Sequence, residues 1–136
     1  HMIFAKFHSI ALQKEGRDKE KFQEWIDSVI RESVDLFKDK FTKRYDELCT
    51  DCMAKTEGFK EYYLEGVIHD AAGIAGCELI RRVVGVAKVK DLTEIKDNIL
   101  RMEQEKKIIS IAKEFIKNRE KISSGQQFLG IVKKNL

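Results

Sequence analysis

The chain contains no proline. The residue that costs an interior helix position ~3 kcal/mol is missing from all 136 positions, which favours long helices joined by polar turns and excludes a proline-rich linker. Sustained charge of one sign is missing too. The 26 basic and 23 acidic residues are interspersed and leave a net charge of +3, so no basic stripe offers itself to a phosphate backbone and no nucleic acid is expected as a partner. The first residues lack the charged, apolar and small-residue progression of a secretory signal, so the cytoplasm is the expected location. No long apolar run is free of charge either. The best candidate, Val67 to Val89, is interrupted by His69, Asp70, Glu78, Arg81 and Arg82. At ~2.5 to 3.5 kcal/mol for each central Asp, Lys or Arg, those residues outweigh the gain from its aliphatic side chains, and no membrane partner is expected.

Chemistry-bearing clusters are equally scarce. Of three cysteines, only Cys49-Thr-Asp-Cys52 has redox or zinc-ligand spacing, and no second pair of ligands completes it. Reduced, partly buried thiols are the expected state, with no metal bound. His8 and His69 are accompanied by no nucleophilic serine or cysteine motif and read as surface or packed side chains. No catalytic residue is therefore expected in this chain.

What is present is a composition 43% hydrophobic and 36% charged with helical periodicity, which makes the class all-α. A chain of this length buries about two-thirds of its unfolded surface, enough for one core. His1-Met2 reads as the remnant of a cleaved expression tag, leaving 3–136 as one helical domain. About five to six helices are expected. The first carries Ile3, Phe4, Phe7, Ile10 and Ala11 and stops at Gly16. A second starts at an Asp18 cap and extends a stripe from Phe22 and Trp25 through Phe37, Phe41 and Tyr45 to Leu48, with one break near Lys38 to Lys40. A loop from Cys52 to Gly58, with Thr56 as cap, leads to a helix from Phe59 to about Ala87. Asp91-Leu-Thr-Glu94 has capping-box spacing, Asp97 opens a helix reaching about Lys121, and Ser124-Gly-Gln-Gln127 opens a short terminal one. The aromatic residues Trp25, Phe37, Phe41, Tyr45, Tyr62 and Tyr63 fall at helical spacing, which makes them core or helix-contact residues before any ligand-stacking surface.

The segment Asp70-Ala-Ala-Gly-Ile-Ala-Gly-Cys-Glu-Leu-Ile-Arg-Arg-Val-Val-Gly85 is the most informative. It sets two adjacent arginines in a small-residue apolar run, where buried guanidinium groups need an anionic or polyhydroxylated partner. Gly73, Gly76 and Gly85 each weaken a helix by ~1 kcal/mol relative to alanine, so something must approach this backbone closely. Asp70 and Arg81 differ by about 20° in helical phase and share a face, and Arg82 lies about 100° further round. Glu78 precedes the arginines by three and four residues and can hold either. Spacing alone favours an intrahelical ion-pair group at the helix surface, stabilising by ~0.3 to 0.5 kcal/mol per pair.

Gly73-Ile-Ala-Gly-Cys-Glu78-Leu-Ile-Arg81-Arg82-Val-Val-Gly85-Val-Ala-Lys88-Val-Lys90-Asp91-Leu92 resembles a string in the C-terminal region of the S-methyl-5-thioribose kinase family, which has a two-lobed fold like those of aminoglycoside phosphotransferases and protein kinases. Ile74 stands where the family has phenylalanine, and Lys88 where it has histidine. The resemblance covers about Gly66 to Asp97. It implies that the bundle is the C-terminal helical subdomain of such a kinase, that Arg81 and Arg82 bind the sugar substrate, and that Glu78 supports them. In the intact family enzyme, ATP and magnesium serve phosphorylation of the 1-hydroxyl of methylthioribose in methionine salvage. This chain has no Gly-rich loop, no His-Gly-Asp loop and no Asp-Pro-Glu or Asp-Phe-Gly string. It is expected to bind no cofactor and to be inactive alone. Two other readings remain, a non-enzymatic helical interaction module and a small-molecule sensor keeping the sugar pocket. Either truncation or an interaction role would leave apolar helix faces bare, so a homo-oligomer is expected.

Overall fold

A computed structural model describes residues 1–12 and 17–136. Gly16, the expected stop of the first helix, lies outside them. Six α-helices and two 3-10 turns appear among the described residues, with no strand: α1 (Met2–Ala11), α2 (Arg17–Leu48), α3 (Phe59–Val84), α4 (Lys90–Thr93), α5 (Asn98–Lys117) and α6 (Gly125–Lys134). The all-α bundle expected from the periodicity is what forms.

Several boundaries differ from expectation for identifiable reasons. Asp18 lies inside the first turn of α2, where its charge favours the helix N-terminus, and is not a cap. The break near Lys38 to Lys40 does not occur, because 32 consecutive residues without glycine or proline give the helix no reason to stop. Thr56 does not cap α3. The cap is Gly58, whose left-handed backbone (φ 79°) suits glycine, while the Thr56 carbonyl accepts from the Phe59 N–H at 3.1 Å. At its other end α3 stops at Val84, short of Ala87, where Gly85 turns extended and the Lys88 ammonium donates to the Val83 carbonyl. The Asp91–Glu94 box does not form. Val89 precedes α4 with no side-chain cap, and Asp91 lies within the helix.

Two caps are as read from the sequence. The Asp97 carboxylate accepts from the N–H groups of Ile99 and Leu100 at 2.8 and 3.1 Å. Ser124 and Gln127 close a reciprocal capping box on α6. Between them α5 ends at Lys117, and a 3-10 turn (Arg119–Lys121) takes the chain round.

The core is built on α3 and α5, the most extensively packed pair. Leu64, Ile68, Ala72, Leu79 and Val83 of α3 meet Ile108, Ile111, Ala112 and Phe115 of α5, and Phe4 and Phe7 of α1 and Phe128 and Val132 of α6 close the sides. Gly76 explains the intimacy of α3 and α5. A Cβ there would lie 2.6 Å from the Ala112 carbonyl oxygen, so only glycine admits this approach. The close neighbour implied by the glycines is thus a helix of the same chain. At Gly73 the neighbour is the Arg119 side chain, 3.5 Å from where a Cβ would be, an ordinary contact that does not itself require glycine.

α2 joins the core through little more than Ile26, with Ile30, Val34 and Phe41 partly buried. Trp25, Phe37 and Tyr62 are exposed, contrary to the expectation of core or helix-contact aromatics, because most of their stripe runs past the edge of the core; Tyr63, though half exposed, is a helix-contact residue as expected. Phe41 bridges to α3, stacking on Tyr63 with centroids 5.9 Å apart, and the Tyr45 hydroxyl donates to the Ala54 carbonyl at 2.8 Å. Polar contacts hold α2 instead. Asp35 accepts from the Gly125 N–H at 2.9 Å, and Lys38 donates to the Ser123 carbonyl at 2.6 Å. Lys6 of α1, only 2% exposed, reaches Asp27 at 2.6 Å, and Lys133 of α6 approaches the other oxygen of the same carboxylate at 3.3 Å.

Candidate functional site

The two arginines sit in the last turn of α3, on a helix whose rotation is fixed by Gly76 against α5. Buried and exposed positions separate cleanly along α3. Leu64, Ile68, Ala72, Gly76, Leu79 and Val83 face the core, and Gly66, Asp70, Ile74, Cys77, Arg81 and Val84 form the exposed face. Asp70 and Arg81 share that face, as their phase requires.

The arginines are not buried. The Arg81 side chain is 54% exposed and that of Arg82 27%. Their anionic partner is Glu78. Its Oε2 accepts from Arg81 Nε at 2.7 Å, and its Oε1 accepts from an Arg81 terminal nitrogen at 2.8 Å and from Arg82 Nε at 2.7 Å. One carboxylate therefore fixes both guanidinium planes, Arg81 through a two-bonded fork. This is the ion-pair group that spacing predicted, with both arginines bound at once. The hydrogen bonds from Arg81 first and Arg82 second draw the Glu78 carboxyl down to about 2, and the Arg81 guanidinium is raised in return by the same contact.

That shift gives a pH dependence of known sign. The carboxyl titrates lower in the fold than in the unfolded chain, so its stabilising contribution is complete above the ordinary carboxylate range and is lost as pH falls through about 2. Carbon-detected NMR titration of Glu78 should show this depressed midpoint. Arg81→Ala should raise it more than Arg82→Ala, and a midpoint near the ordinary glutamate value would show that the fork does not persist in solution.

The two departures from the family string lie on either side of the arginines, Ile74 about two turns before Arg81 and Lys88 beyond the end of α3. Ile74 is 69% exposed on the open face, and Lys88 folds back to the end of the helix. Val84 and Val86 beside them are exposed as well. Cys77 lies on the same face four residues before Arg81; Cys49, Cys52 and Cys77 are all free thiols, but only Cys49 is partly buried, and Cys52 and Cys77 are exposed, contrary to the expected partial burial, because Cys52 precedes a surface turn and Cys77 is on the open side of α3. Toward the other end of α3, Asp70 lines a groove of about 610 Å³ with Tyr62, Tyr63, Glu65, Gly66, His69 and Glu120. His69 Nε2 in that groove is 3.9 Å from Glu65, and His8 Nε2 is 3.8 Å from Glu94. Among the described residues no group of three or more His, Cys, Asp or Glu side chains is placed to hold a metal ion, and no helix is long and apolar enough to cross a membrane.

No family model matches the chain. Among curated proteins it is similar to the methylthioribose kinase of Bacillus cereus (strain B4264), 35% identical over 99 residues, which is 73% of this chain and 25% of that protein. The methylthioribose kinases of Bacillus thuringiensis subsp. konkukian (strain 97-27), 36% identical, and Bacillus anthracis (strain CDC 684 / NRRL 3495), 35% identical, match over the same lengths. The chain spans about a quarter of the length of these relatives.

Proposed function

Taking this partial homology to methylthioribose kinases as premise, we propose that the bundle is the substrate-binding helical part of a kinase of that kind, with Arg81 and Arg82 forming one wall of a sugar-phosphate cleft. The observation that carries this reading is the shared Glu78 clamp. Arg81 on the exposed face and Arg82, half-buried about 100° further round the helix, are both held by one carboxylate, which limits the rotamers left to order when a phosphate ester or a polyhydroxylated sugar binds. Exposed Val84 and Val86 beside them, and exposed Ile74 two turns earlier on the same face, support a second wall supplied by the portion of the relatives that this chain does not match.

The sites for ATP and magnesium and the aspartate that orients the substrate hydroxyl belong to that other portion. Nothing in this sequence provides a phosphate-cradling loop or an aspartate in a catalytic loop, and the chain alone has only half of a cleft. With ATP, magnesium and methylthioribose, the purified chain should show no turnover. With methylthioribose 1-phosphate it should show weak binding, seen as NMR shifts of the Arg81 and Arg82 Nε–H signals that disappear in Arg81→Ala and Arg82→Ala. Phosphoryl transfer by the chain alone would overturn its incompleteness, and shifts confined to other residues would overturn the arginine assignment.

A further inference from the structure

We propose that the groove over Gly66 is a binding site for a small molecule bearing a guanidinium group. It stands about four turns along α3 from the arginine pair and does not depend on the sugar-cleft reading. Tyr62, Gly66, His69 and Gly73 fall within about 60° of one another round the helix and form a single stripe. Over Gly73 the chain lays a guanidinium group of its own. Arg119 Cδ and Nη1 lie 3.5 and 3.7 Å from where a Cβ would be. Gly66 stands about two turns earlier on the same stripe, and a Cβ there would meet nothing within 4 Å. Glycine weakens an interior helix position, and no described residue occupies the room that this one leaves.

The walls of the groove select a flat cation. Glu65, Asp70 and Glu120 line it and no lysine or arginine does, although the chain as a whole carries a net charge of +3. Among the described residues neither Asp70 nor Glu120 forms an ion pair or a side-chain hydrogen bond. Glu65 lies 3.9 Å from His69 Nε2, beyond bonding distance, and that nitrogen is enclosed without a hydrogen-bond partner. The polar groups of the groove are therefore not consumed by one another. Two aromatic faces complete it. The Tyr63 ring stacks on Phe41 and Phe59 at 5.9 and 6.2 Å, and Tyr62 is 76% exposed. A guanidinium group stacks on such rings and offers paired donors to carboxylates, where an ammonium offers a point charge. The volume of about 610 Å³ suits a small molecule.

Ethylguanidinium chloride is the probe, titrated into the full chain at constant ionic strength and followed by the Tyr62 and Tyr63 ring signals in NMR, with ethylammonium chloride as the comparison. Saturable shifts of both rings are expected, with ethylguanidinium bound roughly tenfold more tightly than ethylammonium. Asp70→Asn should weaken binding roughly tenfold. Gly66→Leu should abolish it by filling the floor of the groove, while circular dichroism shows an unchanged helix content, because a Cβ at this position meets nothing in the fold. A merely structural role for Gly66 would move stability and leave affinity alone. Equal affinities for the two cations would mean that the carboxylates gather counterions without a built site, and would overturn the proposal. So would ethylguanidinium shifts that do not saturate, or binding that survives Gly66→Leu.

Discussion

Replacing Asp27 with alanine is expected to destabilise the fold by ~3 to 5 kcal/mol, the cost typical of leaving one member of a buried ion pair without its counterpart. The group left behind is Lys6, whose side chain is 2% exposed and whose ammonium has the Asp27 carboxylate at 2.6 Å. The lysine side chain is enclosed at the packed side of α1, so its ammonium has little access to water. Lys6→Met should cost far less, because Asp27 keeps Lys133 and some contact with solvent. Combining Lys6→Met with Asp27→Leu should recover most of the loss or exceed the parent, since apolar groups of similar volume often replace a buried ion pair at no net cost. Urea unfolding of the parent and the three variants measures these differences. A loss below about 1 kcal/mol for Asp27→Ala would mean that Lys6 reaches water in the native state.

Glycine-to-alanine substitution on α3 is expected to change sign between two positions ten residues apart. At Gly66 an added Cβ meets nothing within 4 Å, so alanine should stabilise by ~1 kcal/mol through its better helix propensity. At Gly76 the same methyl group would lie 2.6 Å from the Ala112 carbonyl oxygen and 2.7 Å from Ile116 Cγ1. Ile116 can turn aside, but the carbonyl belongs to the α5 backbone, so the two central helices must separate. Overpacking of that kind costs ~1 to 3 kcal/mol, which exceeds the propensity gain. Gly76→Ala should therefore lower the urea midpoint where Gly66→Ala raises it. Equal and positive shifts would show that α3 and α5 are less closely apposed than their geometry here. Gly76 also sets the rotation of the helix that carries Arg81 and Arg82, so its alanine variant should disturb the Arg81 and Arg82 signals while Gly66→Ala leaves them in place.

The helices were legible because their signals are local. Periodicity placed α1, α2, α3 and α5, and the Asp97 and Ser124 caps were recognisable because a side chain that accepts from the N–H two or three residues on leaves its mark within one turn. The misplaced boundaries depended on backbone conformation or on distant groups. Gly58 caps through a positive φ, and Lys88 ends α3 by a contact formed only after the chain has turned. Which stripe of α2 would be covered was not legible either, since an apolar period says that a face exists without saying whether a partner is available. Lys6 is the sharpest case. Its burial follows from where Asp27 and Lys133 arrive from 21 and 127 positions away, and no local pattern announces it. At the candidate site, the three- and four-residue spacing anticipated the Glu78–Arg81–Arg82 ion-pair group, whereas the exposure of the arginines depended on which side of α3 met α5.

The Glu78–Arg81–Arg82 group carries one positive charge more than it neutralises, and it stands in the final turn of α3. Aligned peptide dipoles leave about half a unit of negative charge at that end of a helix. The bare face is thereby partly compensated by its own backbone, and an arriving anion takes over a balancing role that unpaired carbonyls already fill in water.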